Sequence, residues 1–233
     1  MKTSVWNKGF TKETNISVRQ ISRTMKEKHI DNFAQWREEM RKAGRMKSTY
    51  PPFQENGDLA ELIGVVLGDG HVGKFPRTEI LRIVSNSNNS GFIKRYGAMV
   101  KKIFGKEPRI AKRKQSNAVD ITVYEKNIST RLGIQTGARL HRNIQVPRWI
   151  LRNEEYIVRY LRGLYEAEGS YNEHKPTYTY KFLFSNKNPS MLGNVYRLLK
   201  RLGFHPHITT YCIQISKKEE ATKARKLLRF REY

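Results

Sequence analysis

The chain has 233 residues, enough for one or two domains around a sizeable core, yet only 38% of them are apolar. Its 45 Lys+Arg against 21 Asp+Glu leave a formal charge of +24, an excess that repels itself in a compact state and implies a polyanionic partner. Nucleic acid is the first reading; no basic amphipathic anchor or lipidation signal points to a membrane surface.

Residues 1–56 read as a polar, basic extension and linker. A turn at Asn7-Lys8-Gly9 precedes a helical pattern from Glu13 to Lys28, whose sparse apolar positions are Ile16, Ile21 and Met25. A second short helix is expected from Asn32 to Ala43, with Gly44 at its C-terminal end. Arg45 to Gly57, with Pro51-Pro52, reads as linker.

From Asp58 onward the chain repeats itself. Leu62 to Gly70 (LIGVVLGDG) and Leu161 to Gly169 (LRGLYEAEG) share one pattern, and the same landmarks follow each at similar distances. Ser85-Asn86-Ser87-Asn88 matches Ser185-Asn186-Lys187-Asn188. The helix Phe92 to Phe104, closed by Gly105, matches Met191 to Leu202, closed by Gly203. The alternation Val119-Ile121-Val123 matches Tyr211-Ile213-Ile215. So many colinear features mark an internal repeat. Each half reads helix, strand, strand, helix, strand, strand, helix, which places the fold in the α+β class. The expected divisions are 57–138 for the first half, 139–153 for a linker and 154–233 for the second half.

Each motif reads as a helix ending in an acid and a glycine. Leu59 to Leu67 is apolar almost all round, so that helix is buried on more than one face. Gly64 and Gly68 in one helix, and Gly163 and Ala167 in the other, lie four apart on a single stripe, which permits close backbone approach. Packed about a pseudo-two-fold axis, the helices bring Asp69 and Glu168 together. The two acids then repel one another and face the unfavourable end of each helix dipole. A hard divalent cation favours that arrangement; nothing purely structural does. Acid-Gly turns after buried helices are the plain alternative, weakened here by recurrence at the same place in a repeat.

The paired motifs resemble those of single-chain LAGLIDADG homing endonucleases, over roughly Asp58 to Tyr233. LRGLYEAEG is the closer match; LIGVVLGDG departs at Leu67, where the signature carries its first acid, and keeps the final acid at Asp69. The resemblance implies two αββαββα halves forming a saddle that straddles duplex DNA. It also implies Mg²⁺ held by Asp69, Glu168 and the carbonyls of Gly68 and Ala167, with Mn²⁺ or Ca²⁺ able to substitute for binding. Metal-assisted attack by water across the minor groove, leaving short 3′ overhangs, would follow. The family also places a polar or basic residue near each acid. Asn86, Asn186 and Lys187 are the assigned catalytic candidates, with Lys74, Lys175 and Lys181 as further possibilities; Asn88 and Asn188 have an alternative role as helix N-caps.

The strands add a second signal. Tyr211, Ile213 and Ile215 alternate with Thr210, Cys212, Gln214 and Ser216. Tyr178, Tyr180, Phe182 and Phe184 alternate with Thr177, Thr179, Lys181 and Ser185, interrupted by Leu183. Asp120 and Thr122 oppose Val119, Ile121 and Val123, flanked by Arg109, Lys112, Arg113 and Lys114. With Lys74, Arg82 and Lys175, these polar faces are the expected DNA-binding surface, although a solvated antiparallel sheet alternates identically. Trp6 to Ser22 resembles NUMOD3-like nuclease-associated modules, and Lys8, Lys12 and Arg19 are its expected DNA contacts.

One cysteine, Cys212, excludes an internal disulfide or a cysteine-based zinc site. With no signal-peptide core and no membrane-length apolar run, an intracellular protein, cytoplasmic or organellar, is expected. The leading function is a monomeric, Mg²⁺-dependent double-strand DNA endonuclease. An RNA-binding intron maturase and a cleavage-inactive DNA-binding regulator are the alternatives on the same fold. An intein is disfavoured, because no splicing blocks flank the repeat.

Overall fold

The computed structural model describes residues 7–44 and 47–233, which fall into two compact units divided between Tyr50 and Pro51. Trp6 of the module-like stretch, and Arg45 and Met46 of the expected linker, lie outside the described residues. The first unit holds α1 (Ile16–Glu27) and α2 (Ala34–Lys42). Asn15 caps α1 by accepting the Val18 amide at 3.2 Å, and Gly44 follows α2 in the left-handed region at φ +67°. Neither helix buries a residue; Ile16, Ile21, Phe33 and Trp36 are all exposed. Among the described residues of this unit none is buried.

The second unit repeats one topology. Its first half runs α3 (Gly57–Asp69), β1 (Gly70–Lys74), β2 (Glu79–Asn86), α4 (Ser90–Phe104), β3 (Arg109–Lys112), β4 (Ala118–Glu125) and α5 (Ile128–Leu132). After α6 (Arg148–Leu151), the second half runs α7 (Glu154–Glu168), β5 (Gly169–His174), β6 (Thr179–Ser185), α8 (Pro189–Arg201), β7 (His207–Ile208), β8 (Cys212–Ile215) and α9 (Lys218–Leu227). The expected αββαββα order is present in both halves, and the fold is α+β. Each half folds its strands into an antiparallel sheet of matching order, β1-β2-β4-β3 and β5-β6-β8-β7. Leu81, Ile83, Ile121 and Val123 on one sheet, and Phe182, Phe184, Ile213 and Ile215 on the other, turn inward to a single core. Among the described residues no helix is long and apolar enough to cross a membrane.

Helices α3 and α7 meet backbone to backbone. A methyl group built on Gly163 would overlap the Glu61 carbonyl oxygen and lie 2.7 Å from the Val65 nitrogen. One on Gly64 would overlap the Tyr160 carbonyl oxygen and lie 3.1 Å from the Gly163 Cα. The small-residue stripe of the sequence is therefore the contact itself. Towards their starts the same helices are joined by charge. Glu61, fully buried, accepts two hydrogen bonds from Arg95 of α4, at 2.6 and 2.8 Å, and one from Arg159 of α7 at 2.6 Å. Tyr96 adds a hydroxyl donor at 3.2 Å. The apolar reading of α3 had no place for this acid; buried, it is tolerable only because cations from both halves meet it.

Two stretches read as linker carry core contacts. Phe53 is buried against Phe104, ring centroids 4.9 Å apart, under the Arg131 guanidinium, which also donates to the Pro51 carbonyl at 2.7 Å. In the segment between the halves, Ile150 is fully buried and Trp149 packs edge-on against Tyr156.

The helix contact makes a sharp prediction. Gly163→Ala should cost about 3 kcal/mol or more in urea unfolding, because two rigid backbones must separate. Gly193→Ala in α8, where nothing lies within 4 Å of the added methyl, should be stabilising by about 0.5–1 kcal/mol. Equal costs at the two sites would contradict the close approach.

Candidate active site and nucleic-acid interface

The sheets place the site by placing the ends of α3 and α7. Gly70 closes α3 by donating its amide to the Val66 carbonyl, and Gly169 closes α7 by donating to Tyr165. Each glycine then starts a strand directly, so each acid stands at a helix-to-strand corner. A methyl on either glycine would crowd the preceding helical turn, at 2.9 Å from Val66 Cγ1 and 2.9 Å from Tyr165 Cα.

Between the corners, Gly68 faces Ala167: a methyl on Gly68 would overlap the Ala167 Cβ and come within 3.1 Å of the Glu168 Cγ. The structure thus brings Gly68, Asp69, Ala167 and Glu168 to one place. Crowding by surrounding protein, and then repulsion from Glu168, push the Asp69 carboxyl up to about 7, although its side chain keeps access to solvent. Burial raises Glu168 as well. Among the described residues no ion pair neutralises either acid. Two carboxylates that resist ionisation side by side, with no protein cation between them, fit a divalent cation. No cluster of three or more His, Cys, Asp or Glu side chains accompanies them among the described residues. The donor set offered by the protein is the acid pair with the neighbouring helix-end carbonyls of Gly68 and Ala167.

The polar neighbours are unequal. The Asn186 amide donates to Glu168 at 3.4 Å, and its oxygen accepts the Asn188 amide at 2.8 Å. Asn86 uses its oxygen in the same turn, on the Asn88 amide at 2.9 Å, and no hydrogen bond joins it to Asp69. Lys187, Glu168 and Asn186 line an open cleft of about 640 Å³ with His71, Arg139 and Tyr211. The cap assignments divide. Asn188 caps α8 by accepting the Ser190 and Met191 amides, but α4 is capped at Asn89 rather than Asn88 and without a side-chain bond.

On the outward faces the register decides what shares a surface. In the first sheet Arg82, Thr122 and Arg109 pair across three strands, with His71 beside Arg82, and Lys74 ends β1. Thr122 is nevertheless buried among its neighbours. Asp120 is held by Arg113 through three contacts of 2.7–3.1 Å, which keep its carboxyl below the usual range. Lys112 pairs with Val119, the core-side register, at the sheet edge, and Lys114 lies in the following turn. In the second sheet Thr179, Lys181 and Gln214 stand on the outward face, Gln214 bonded to Ser216 just past the strand. Thr210 and Tyr211 fall in the turn before β8, and Tyr211 is exposed rather than inward. Lys175 and Thr177 form a short 3₁₀ turn, and Tyr178 after it is exposed at φ +49°. The extended alternation stops at both places because the backbone turns. Lys8, Lys12 and Arg19 are exposed in the first unit, Arg19 bonded to the Lys12 carbonyl at 2.9 Å. Outward positions not singled out from the sequence are His71, Asn172 and His174; the last two alternate along β5 and were readable by the same period-two argument.

Residues 155–233 match the family model of the LAGLIDADG-like domain. That match falls on the second half alone. No curated protein matches the chain. Among solved structures, variants of the homing endonuclease I-DmoI match with a TM-score of 0.52 at 18% identity, covering 74% of this chain and 94% of theirs. I-DmoI in complex with DNA and Mn matches with 0.51 at 18%, covering 74% and 96%. The N-terminal LAGLIDADG domain of DUF199/WhiA matches with 0.50 at 17%, covering 76% and 83%. At such identities the likeness establishes the LAGLIDADG fold, with both halves in one chain. Arg139, which the sequence placed only in the joining segment, and Glu166 were missed as parts of the motif surroundings. Glu166 is buried, accepts the Arg231 amide at 2.7 Å and the Tyr233 hydroxyl, and so anchors the chain's last residues to the LAGLIDADG helix α7. Leu67, its counterpart in α3, is buried apolar surface.

Two tests follow from this geometry. Unfolded aspartate titrates near pH 4, and Asp69 near 7 when folded, so in that window the folded chain keeps a proton the unfolded chain has lost. Asp69 therefore withdraws stability as pH rises from about 4 to about 7. In chelator, Asp69→Asn should raise the melting temperature at pH 8, with the gain vanishing near pH 4. A lower melting temperature at pH 8 would contradict the crowding. For the second sheet, Ile213→Ala, at a fully buried position, should cost on the order of 2–5 kcal/mol of stability. Gln214→Ala should leave melting nearly unchanged and alter base preference at a few positions of a bound duplex, by roughly 1–3 kcal/mol of discrimination. Exchange of the two phenotypes would mean a register shifted by one residue.

Proposed function

We propose that this protein is a site-specific, divalent-metal-dependent DNA endonuclease of the homing type, acting as a monomer on a long duplex within the cell. The observation that carries the reading is the acid pair: Asp69 and Glu168 end two helices in contact, repel one another and have no counter-charge among the described residues. A LAGLIDADG scaffold that only bound DNA would have no need to keep two uncompensated acids at its centre.

Mg²⁺ held there by Asp69, Glu168 and the carbonyls of Gly68 and Ala167 would supply charge stabilisation for phosphodiester hydrolysis and for a water nucleophile. The chain's own part is positioning. The tight α3–α7 contact fixes the spacing of the acids, and Asn186 orients Glu168. Lys187, exposed in the adjoining cleft, is placed to meet a phosphate, and Asn86 marks the corresponding place in the first half. The outward faces of the two sheets, with Lys74, Arg82, Arg109, Lys181 and Gln214, are the proposed DNA surface. The first unit, with Lys8, Lys12 and Arg19, is a basic extension adding phosphate contacts. The net charge of +24 predicts strongly salt-dependent binding.

Selection of cleaved sites from a randomised duplex library in Mg²⁺ tests the proposal and supplies the substrate. On a recovered site Asp69→Asn and Glu168→Gln should each abolish double-strand cleavage and leave affinity within about tenfold, since phosphate contacts dominate binding. Full activity in either variant would sink the assignment. Duplex binding without any cutting by the unaltered chain would favour the inactive regulator, and a preference for structured RNA the maturase.

A further inference from the structure

The segment joining the halves does more than span them. Arg139 reaches back to the end of α3 and donates through one guanidinium nitrogen to the Gly70 carbonyl at 2.6 Å and the Val66 carbonyl at 3.0 Å. It thus adds a donor to acceptors on both sides of Asp69, in the last turn of the helix, where Val66 also takes the Gly70 amide. Its own carbonyl accepts the Asn188 side-chain amide at 2.7 Å, and the same amide holds Arg142 at 2.9 Å. Asn188 is buried, and its backbone amide donates to the oxygen of Asn186, whose nitrogen donates to Glu168. One hydrogen-bonded path therefore runs from Glu168 through Asn186, Asn188 and Arg139 to the corner that carries Asp69.

The path is one-sided. The equivalent acceptors at the end of α7 are the carbonyls of Tyr165 and Gly169. Among the described residues no side chain donates to either, while Tyr165 takes only the Gly169 amide. The halves share their αββαββα order and sheet topology, and Arg139 lies in the segment that joins them, of which there is a single copy.

We infer that Arg139 is a positioning residue for the Asp69 half-site alone, and that its loss makes the two half-sites unequal. The strand-resolved part of this inference rests on the endonuclease reading; the positional part does not. Arg139 touches neither acid, so its action is through the backbone that holds Asp69.

Hydrogen–deuterium exchange on the full chain tests the positional part. In the unaltered protein, amides of 67–71 should exchange more slowly than those of 166–170. Arg139→Met should speed exchange of the first segment by about tenfold and leave the second within about twofold, a local opening rather than global loss. Arg139→Lys, which keeps a donor, should restore part of the protection. On a duplex recovered by selection and labelled on each strand, Arg139→Met should slow one strand by about tenfold, equivalent to about 1.4 kcal/mol in the barrier, so that nicked product accumulates. Equal exchange at the two helix ends of the unaltered protein would overturn the inference even if the variant fails to fold. Equal loosening of both ends, or equal slowing of both strands, would overturn it as well. If no duplex is cut by the unaltered protein, the endonuclease reading falls and the exchange comparison still decides the role of Arg139.

Discussion

Everything in the second unit depends on how closely α3 and α7 approach. Gly64 and Gly163 lie against each other's backbones, so even a methyl group would force the helices apart. That spacing fixes where the helix ends stand, and through Gly70 and Gly169 it fixes the first strand of each sheet. Dispersion between backbones at such range is favourable, but it leaves the peptide dipoles pointing at Asp69 and Glu168 with the wrong sign. The contact that holds the two halves together therefore also creates the electrostatic stress at its end. The Glu61 cluster, at the opposite end, supplies attraction between the same helices through Arg159, while Arg95 ties α4 to the same acid. One pair of helices carries paired charge at its start and unpaired charge at its finish.

Unpaired charge is costly, and most of the chain avoids it. Glu61 has arginines, Glu166 the Arg231 amide and the Tyr233 hydroxyl, and Asp120 has Arg113. Even in a protein of formal charge +24, no cation among the described residues pairs with Asp69 or Glu168. Arg139, whose guanidinium reaches the end of α3, is spent on carbonyl oxygens rather than on a carboxylate. Burial lowers the Arg139 guanidinium, as expected for a cation satisfied by neutral acceptors. An arrangement that keeps arginine close and still leaves the acids unneutralised is suited to a cation that arrives from solution.

The repeat made most of this legible beforehand. Glycines four apart, an acid at the end of each helix, and alternation in Val119–Val123 and Ile213–Ile215 are local signals, and each element stands where those signals put it. What escaped was of two kinds. Tyr178 and Tyr211 continue an alternating pattern past the point where the backbone turns, and apolar residues at a strand end look the same whether inward or exposed. The other kind is long-range pairing. Glu61 sits in an apolar run and looks like an outward-facing exception, and Arg139 looks like linker charge, because their partners lie far away in sequence. No periodicity encodes a hydrogen bond from Arg139 to Val66.

The departure of the first motif from the second has a physical meaning in the same terms. In α7 the position two before the final acid is Glu166, which faces inward and receives the returning chain at Arg231 and Tyr233. Tyr233 also packs on Gly91 at the start of α4, where a methyl group would come within 2.5 Å of its ring. The last residues thus bind one half through a carboxylate and the other through a glycine. The equivalent position in α3 is Leu67, buried, and what returns to that end of α3 is the Arg139 guanidinium, which takes the Leu67 carbonyl at 3.4 Å. Two helices that look like variants of one motif therefore differ where their partners differ. The residues they share, the small stripe and the final acid, are those that face each other across the pseudo-two-fold axis.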